Sequence, residues 1–281
     1  MLGGMNPLIL NLAPTGMIPT KAMTPHVPVT PDEIVADACR CAELGASIIH
    51  LHARDADGQP TWRREVYARI IGGIREQHPD LVLCVSLSGR NTPDVEQRAD
   101  PLRLTGDVKP DMGSLTLASL NFPGSASLNA PDTVRYLASA MADAGILPEL
   151  EAFDVGMINY ARYLVDRGLL GGAHYFNLML GNVASAQATP LHLGSMIASL
   201  PPGAVWAAGG IGDAHLAASM MGVLHGDGVR VGVEDTLWTN PVRDRLASNA
   251  DLVERVCTLA AMQGRAIATP AETRARLGLT R

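Results

Sequence analysis

The sequence predicts an α/β fold of one domain, a (β/α)8 TIM barrel, from three observations. Strand-like and helix-like segments alternate eight times along the 281 residues. The strand-like runs are short, apolar and not alternating, as strands covered on both faces are. No composition shift, tandem repeat or low-complexity stretch divides the chain, and single barrels commonly run to ~250 residues. Strand and helix repeated with right-handed crossovers close on themselves. An open doubly wound sheet would want Gly-x-Gly-x-x-Gly after the first strand, where Ala13-Pro14-Thr15-Gly16 stands instead.

Residues 1–5 read as a loose N-terminal extension. Residues 8–12 form the first strand, followed by a long loop over 13–29. Thr30, Pro31 and Glu33 open a helix, as N-cap, first-position proline and capping-box partner; Gly45 ends it. The second strand covers 47–53 and a helix 63–78, broken by Pro79. The third strand is 81–87, with a polar helix over 93–104. The fourth strand is 112–117 and its helix 131–144. Strand five, 147–153, precedes a helix over 155–167, and strand six is 174–180. A helix from Thr189-Pro190 to 200 leads to strand seven at 204–208. Asp213 caps a helix over 214–224. Strand eight is 229–233, the last long helix 249–261, and residues 265–281 form a tail with a short helix at 270–277.

A net charge of −6 with no Lys/Arg run argues against a nucleic-acid or membrane surface. Neither a leader pattern nor a stretch of ~20 apolar residues is apparent, which predicts a cytoplasmic protein. Cys39, Cys41, Cys84 and Cys257 form no Cys-x-x-Cys pair and read as reduced thiols.

The chemistry starts at Ile48-Ile49-His50-Leu51-His52. On a strand, His50 and His52 share a face. Two buried imidazoles are costly unless something uses them, and zinc does; two core histidines bonded to carbonyls are the alternative. Barrel active sites lie at the C-terminal strand ends. Strand eight offers Glu234 there, and strands two and eight, both even, feed the same interior layers. His50, His52 and Glu234 then make a catalytic zinc set with an open fourth position, although such sets suit several ions. Adjacent residues of an extended strand point apart, so Asp235 is left for acid–base work. Glu149 and Glu151 lie two apart on one face of strand five, with Glu151 placed to pair with Arg230. Ser86, Ser114 and Thr116 are further polar strand ends. Gly209, Gly210 and Gly212, before a helix, could cradle a phosphate of CoA or serve only as a tight turn.

Asn11-Leu-Ala-Pro-Thr-Gly16, Pro28-Val-Thr-Pro31, His50-Leu-His-Ala-Arg54-Asp55, Lys109-Pro-Asp-Met112, Asn121-Phe-Pro123, Pro148-Glu-Leu-Glu151, Gly209-Gly-Ile-Gly212 and Arg230-Val-Gly-Val-Glu-Asp235 together resemble the β-keto acid cleavage enzymes over nearly the whole chain. The resemblance implies a zinc barrel, usually a homotetramer, that uses acetyl-CoA to split a β-keto acid into acetoacetate and a new acyl-CoA. It places His50, His52 and Glu234 on the zinc ligands and Asp235 on the general base. Arg230, Ser86 and Glu151 fall in the reaction centre. Ser114 stands where the family has a threonine, and Ser114 and Thr116 are expected to meet substrate. Ile18 stands where a member with an amino-bearing substrate has a glutamate, which implies an uncharged or apolar tail here; Lys21 reads as solvated. A hydrolase of the amidohydrolase type, which takes its histidine pair from strand one and further histidines from strands five and six, is one rival. A metabolite-binding barrel without activity is the other.

Overall fold

The computed structural model describes residues 6–280, so the expected extension lies outside the described residues. Eight parallel strands close the barrel in chain order: β1 (Ile9–Leu12), β2 (Ile48–Leu51), β3 (Val82–Val85), β4 (Met112–Thr116), β5 (Leu147–Ala152), β6 (Tyr175–Leu180), β7 (Val205–Gly210) and β8 (Gly228–Val231). β1 closes the ring by pairing with β8, with Asn11 opposite Arg230. Helices α1 (Pro31–Glu43), α2 (Arg64–Gln77), α3 (Val95–Ala99), α4 (Pro131–Ala144), α5 (Val155–Asp166), α6 (Pro190–Ser199), α7 (His215–His225), α8 (Asn249–Met262) and α9 (Pro270–Leu277) follow the strands. None is long and apolar enough to cross a membrane. All four cysteines are free.

Local chemistry accounts for most element ends. The Thr30 hydroxyl accepts from Glu33 N while Glu33 accepts from Thr30 N, the reciprocal cap that starts α1. The polar helix expected over 93–104 is shorter. It stops at Ala99 and tightens into a 3-10 turn over Asp100–Arg103, because Pro101 has no N–H to give to Gln97 and its ring opposes a continuing helix. Asp213 does not cap α7, which begins after a 3-10 turn at Gly212–Ala214 with no side-chain cap; its carboxylate pairs with Arg243 instead. β2 ends at Leu51, and Ala53–Arg54 turn away to pair with Pro60–Thr61, so His52 sits on the bend at the strand's exit.

The barrel's N-terminal end is stoppered by the tail. Ala268 and Leu277 pack with Ile9, Ile48 and Val82 inside the ring, and Arg274 ties α9 to the Asp80 and Leu81 carbonyls and to Asp111. With that end filled by apolar side chains, the polar interior residues are left to the C-terminal mouth. His174, the lone histidine of the strand-six region, lies at the stoppered end, where its carbonyl receives Val205 N.

Candidate active site

β2 carries His50 to the barrel axis and His52 one pleat further toward the mouth. Their Nε2 atoms are 3.3 Å apart, and His52 Nε2 is 3.3 Å from Glu234 Oε1. Two donors each ~2.05 Å from a tetrahedral ion stand about 3.3 Å apart, so these spacings are those of ligand atoms round one zinc-sized cation. Glu234 Oε2 is buried with no hydrogen-bond partner, which leaves it a lone pair to give. The donor set fits a divalent cation.

The orientation of His50 comes from below. Its Nδ1 is 2.5 Å from Glu149 Oε2, on a carboxylate with no solvent exposure. Nδ1–H donating there keeps the Nε2 lone pair free on the His52 side. Glu149 also accepts from Asn11 Nδ2 at 2.7 Å and from the Cys84 thiol at 3.3 Å. Burial would raise the Glu149 carboxyl, but His50, Arg230 and the Asn11 bond outweigh it and hold it at about 2. Burial, and then the Glu149 charge, push the Cys84 thiol well up; a protonated thiol is a poor ligand. His50, Cys84 and Glu149 are also close enough to hold an ion; with the imidazole Nδ1 and the thiol both bonded to Glu149 Oε2, they form the support beneath the first group.

The chain bends after β8. Asp235 N and Thr236 N both reach back to the Gly232 carbonyl, at 3.0 and 3.2 Å. The expectation that Glu234 and Asp235 point apart assumed extended backbone; on this turn both meet Arg230. Its guanidinium holds Glu151 at 3.1 Å, Glu234 at 2.9 Å and Asp235 at 3.0 Å while only 2% exposed. Thr116 steadies Glu151 at 2.7 Å. Burial, reinforced by Glu234 and opposed by Arg230, pushes the Asp235 carboxyl up to about 6. Burial alone would raise Glu234 too, but His52 and Arg230 hold it well below the usual carboxylate range. Four carboxylates, Glu149, Glu151, Glu234 and Asp235, thus surround one guanidinium, an excess of negative charge that a divalent cation offsets.

Two loops hold this turn. Asn249, fully buried, accepts from Val233 N and donates to the Pro14 carbonyl. The loop after β1 presses on Glu234 at Gly16 (φ 65°), where a Cβ would stand 2.6 Å from Glu234 Cγ. Arg54 fastens that loop, donating to the Gly16, Pro19 and Gly58 carbonyls.

A cavity of about 590 Å³ opens above, lined by His50, His52, Ser86, Thr116, Glu151, Arg230, Glu234, Asp235 and, toward the rim, Ile18. Other expected residues are placed elsewhere. Ser114 does not line the cavity; its hydroxyl accepts from Leu87 N and fixes the exit of β3. Gly209 and Gly210 lie inside β7, where a Cβ would strike Met179 Sδ or α7, each at 2.7 Å. The N–H of Gly212 goes to the Asp235 carbonyl at 2.8 Å. Close packing accounts for glycine at 209 and 210, and a left-handed backbone (φ 58°) for glycine at 212. The bond from Glu149 to His50 and the tie made by Asn249 were not read from the sequence, although a carboxylate between Pro148 and Leu150 on a buried strand signals that it needs a partner.

A barrel with this group of ionisable side chains at its mouth is the frame of an enzyme. Residues 7–279 match the β-keto acid cleavage enzyme family, and the chain belongs to it. It is 36% identical over 277 residues to the 3-keto-5-aminohexanoate cleavage enzyme of Fusobacterium nucleatum, spanning 98% of this chain and 99% of that one. It is 36% identical over 278 residues to the 3-oxoadipate:acetyl-CoA acetyltransferase of Cupriavidus necator, spanning 97% and 95%. The structure of ObcA in binary complex with oxaloacetate shares the fold, with a TM-score of 0.80 at 23% identity over 93% of this chain and 69% of that one.

Proposed function

We propose that the protein converts a β-keto acid and acetyl-CoA into acetoacetate and a new acyl-CoA, with a zinc ion held by His50, His52 and Glu234. The observation that carries this reading is that His50 Nε2 and Glu234 Oε1 each stand 3.3 Å from His52 Nε2, beside a carboxylate, Asp235, that Arg230 holds against the same cavity. The relatives' names supply acetyl-CoA and the keto-acid class.

When bound, the cation supplies a Lewis acid that polarises the substrate's ketone and carboxylate oxygens. Asp235, held by Arg230 against the cavity, takes a proton from the carbon between those groups. The enolate carbon attacks the acetyl thioester, and CoA thiolate leaves. The thiolate then adds to the original ketone, the bond between that carbon and the enolate carbon breaks, and the released carbanion takes back the proton held by Asp235, giving acetoacetate and the new acyl-CoA. Arg230 offers a fixed positive charge to the oxyanions of both additions, and the Ser86 hydroxyl a donor. Glu151, bound to both Arg230 and Thr116, orients the guanidinium.

The substrate tail carries no positive charge, because Ile18 at the rim cannot pair an ammonium; an uncharged or apolar tail satisfies it. The amidohydrolase-type alternative loses its candidate histidine, since His174 lies at the far end of the barrel. A panel of β-keto acids at fixed acetyl-CoA, with acyl-CoA read by mass spectrometry, tests the reading. It expects a new acyl-CoA matched to each accepted acid. Hydrolysis without CoA, or no product from any acid, overturns it.

A further inference from the structure

One cation in the cavity wall has no part in the chemistry above. Arg90 follows β3 and lines the cavity with Phe122 and Phe153. Its guanidinium carbon stands 3.5 Å from the centre of the Phe122 ring, and Phe122 packs edge-on against Phe153 with centroids 5.8 Å apart. The wall is braced from behind. Arg98 donates to the Leu87 and Leu128 carbonyls and to Asn129, tying the exit of β3 to the hairpin that follows β4 and carries Phe122. The planar group is therefore held in place by stacking.

What distinguishes Arg90 is its lack of a polar partner. Arg54 is consumed by three loop carbonyls, Arg98 by the hairpin, and Arg230 by three carboxylates. Lys21 is 2.9 Å from Glu33 on an exposed loop and belongs to the cap of α1. Among the described residues, no carboxylate or carbonyl accepts from the Arg90 guanidinium; Glu151 and Glu234 act on it only through space. The three carboxylates that line the cavity all sit on Arg230. The cavity is thus polarised, with a donor group for the reacting end of a keto acid at one place and an unneutralised guanidinium at another. Ile18, 49% exposed at the rim, excludes an ammonium but contributes little apolar enclosure.

We infer that Arg90 receives a carboxylate at the far end of the substrate, so that the preferred β-keto acid is a 3-oxo dicarboxylic acid. The inference rests on the proposed reaction and replaces its uncharged tail with an anionic one, which the absence of an ammonium partner at Ile18 equally allows. An Arg–carboxylate pair is a strong, directional contact, and stacking on Phe122 already orders Arg90 to make it.

The test pairs 3-oxoadipate with 3-oxohexanoate, which has the same chain length and no second carboxylate, in the zinc-loaded wild type, Arg90→Gln and Arg90→Lys. The readouts are kcat/KM at saturating acetyl-CoA, KM for acetyl-CoA, and calorimetric Kd for each acid without acetyl-CoA. A charge-assisted bond makes the wild type favour the diacid roughly tenfold to a hundredfold. Arg90→Gln removes that ratio in both kcat/KM and Kd, and Arg90→Lys retains part of it. A wild type that prefers the neutral acid overturns the inference. So does an Arg90→Gln loss equal for both acids, or one that appears in KM for acetyl-CoA, which would assign Arg90 to CoA. Turnover of both acids without discrimination sinks the inference and leaves the proposed function standing. Absence of acetyl-CoA-dependent turnover, with the diacid still bound more tightly through Arg90, does the reverse.

Discussion

Replacing Glu149 with Gln removes a buried charge while keeping the side chain's shape. In the wild type, Oε2 receives His50 Nδ1 at 2.5 Å and Oε1 receives Asn11 Nδ2 at 2.7 Å. A glutamine has one acceptor oxygen for these two donors. The conflict has an exit: Asn11 Oδ1 has no hydrogen-bond partner, so its amide can turn and accept from the new NH2 while the glutamine oxygen stays on His50. The network then survives and the fold with it. What is lost is the negative charge that raises the basicity of His50. Removal of such a partner behind a ligating histidine weakens a metal site about tenfold to a hundredfold, or about 1.4–2.7 kcal/mol. Competition with a chromophoric zinc chelator measures the affinity, and circular dichroism confirms the fold. An affinity within about twofold of wild type, in a folded variant, would refute the claim that Glu149 prepares His50.

Three further outcomes follow from the same geometry. Gly16→Ala drives a Cβ against Glu234 and is expected to weaken cation affinity roughly tenfold; Gly106→Ala, at a similar φ of 63° with nothing within 4 Å, costs about 1 kcal/mol of stability and leaves the affinity alone in the same chelator assay. Asp235→Asn keeps the shape and an acceptor for Arg230 but not the base, so kcat falls about 10²–10⁴-fold while metal analysis still finds one ion per chain. Stripping the ion with a chelator removes the stabilisation conferred on the folded state. Relative to protein at about a hundredfold excess of zinc over Kd, the melting temperature drops by about 5 °C, and calorimetry after zinc is restored recovers it.

The parts of this molecule readable from sequence are those governed by local periodicity. His50 and His52 announce themselves through the two-residue repeat of a strand, and Thr30-Pro31-x-Glu33 through helix-cap chemistry. The placement of Glu234 near them follows from barrel layering, a rule about strand number rather than about neighbours. Departures occur where the chain leaves regular geometry. Glu234 and Asp235 converge on Arg230 because the backbone turns back on Gly232, and residue types alone do not report that turn. The polar periodicity over 93–104 predicts one helix, whereas Pro101 tightens its second half into a 3-10 turn. Ser114 has the right face for the cavity, but the nearby Leu87 N–H takes its hydroxyl. Arg90 lies in a loop without periodicity, and its significance is the absence of a partner, a property of three-dimensional arrangement alone. Glu149 belongs to both groups: its face was legible, its partner 99 residues earlier was not.

The central claim is a carbon–carbon exchange in which acetoacetate takes its acetyl group from acetyl-CoA. Turnover of an accepted β-keto acid with acetyl-CoA carrying ¹³C at both acetyl carbons tests it most directly. The account predicts acetoacetate with both labels at its ketone and methyl carbons, and a new acyl-CoA with none. Unlabelled acetoacetate, or label in the new acyl-CoA, would contradict it.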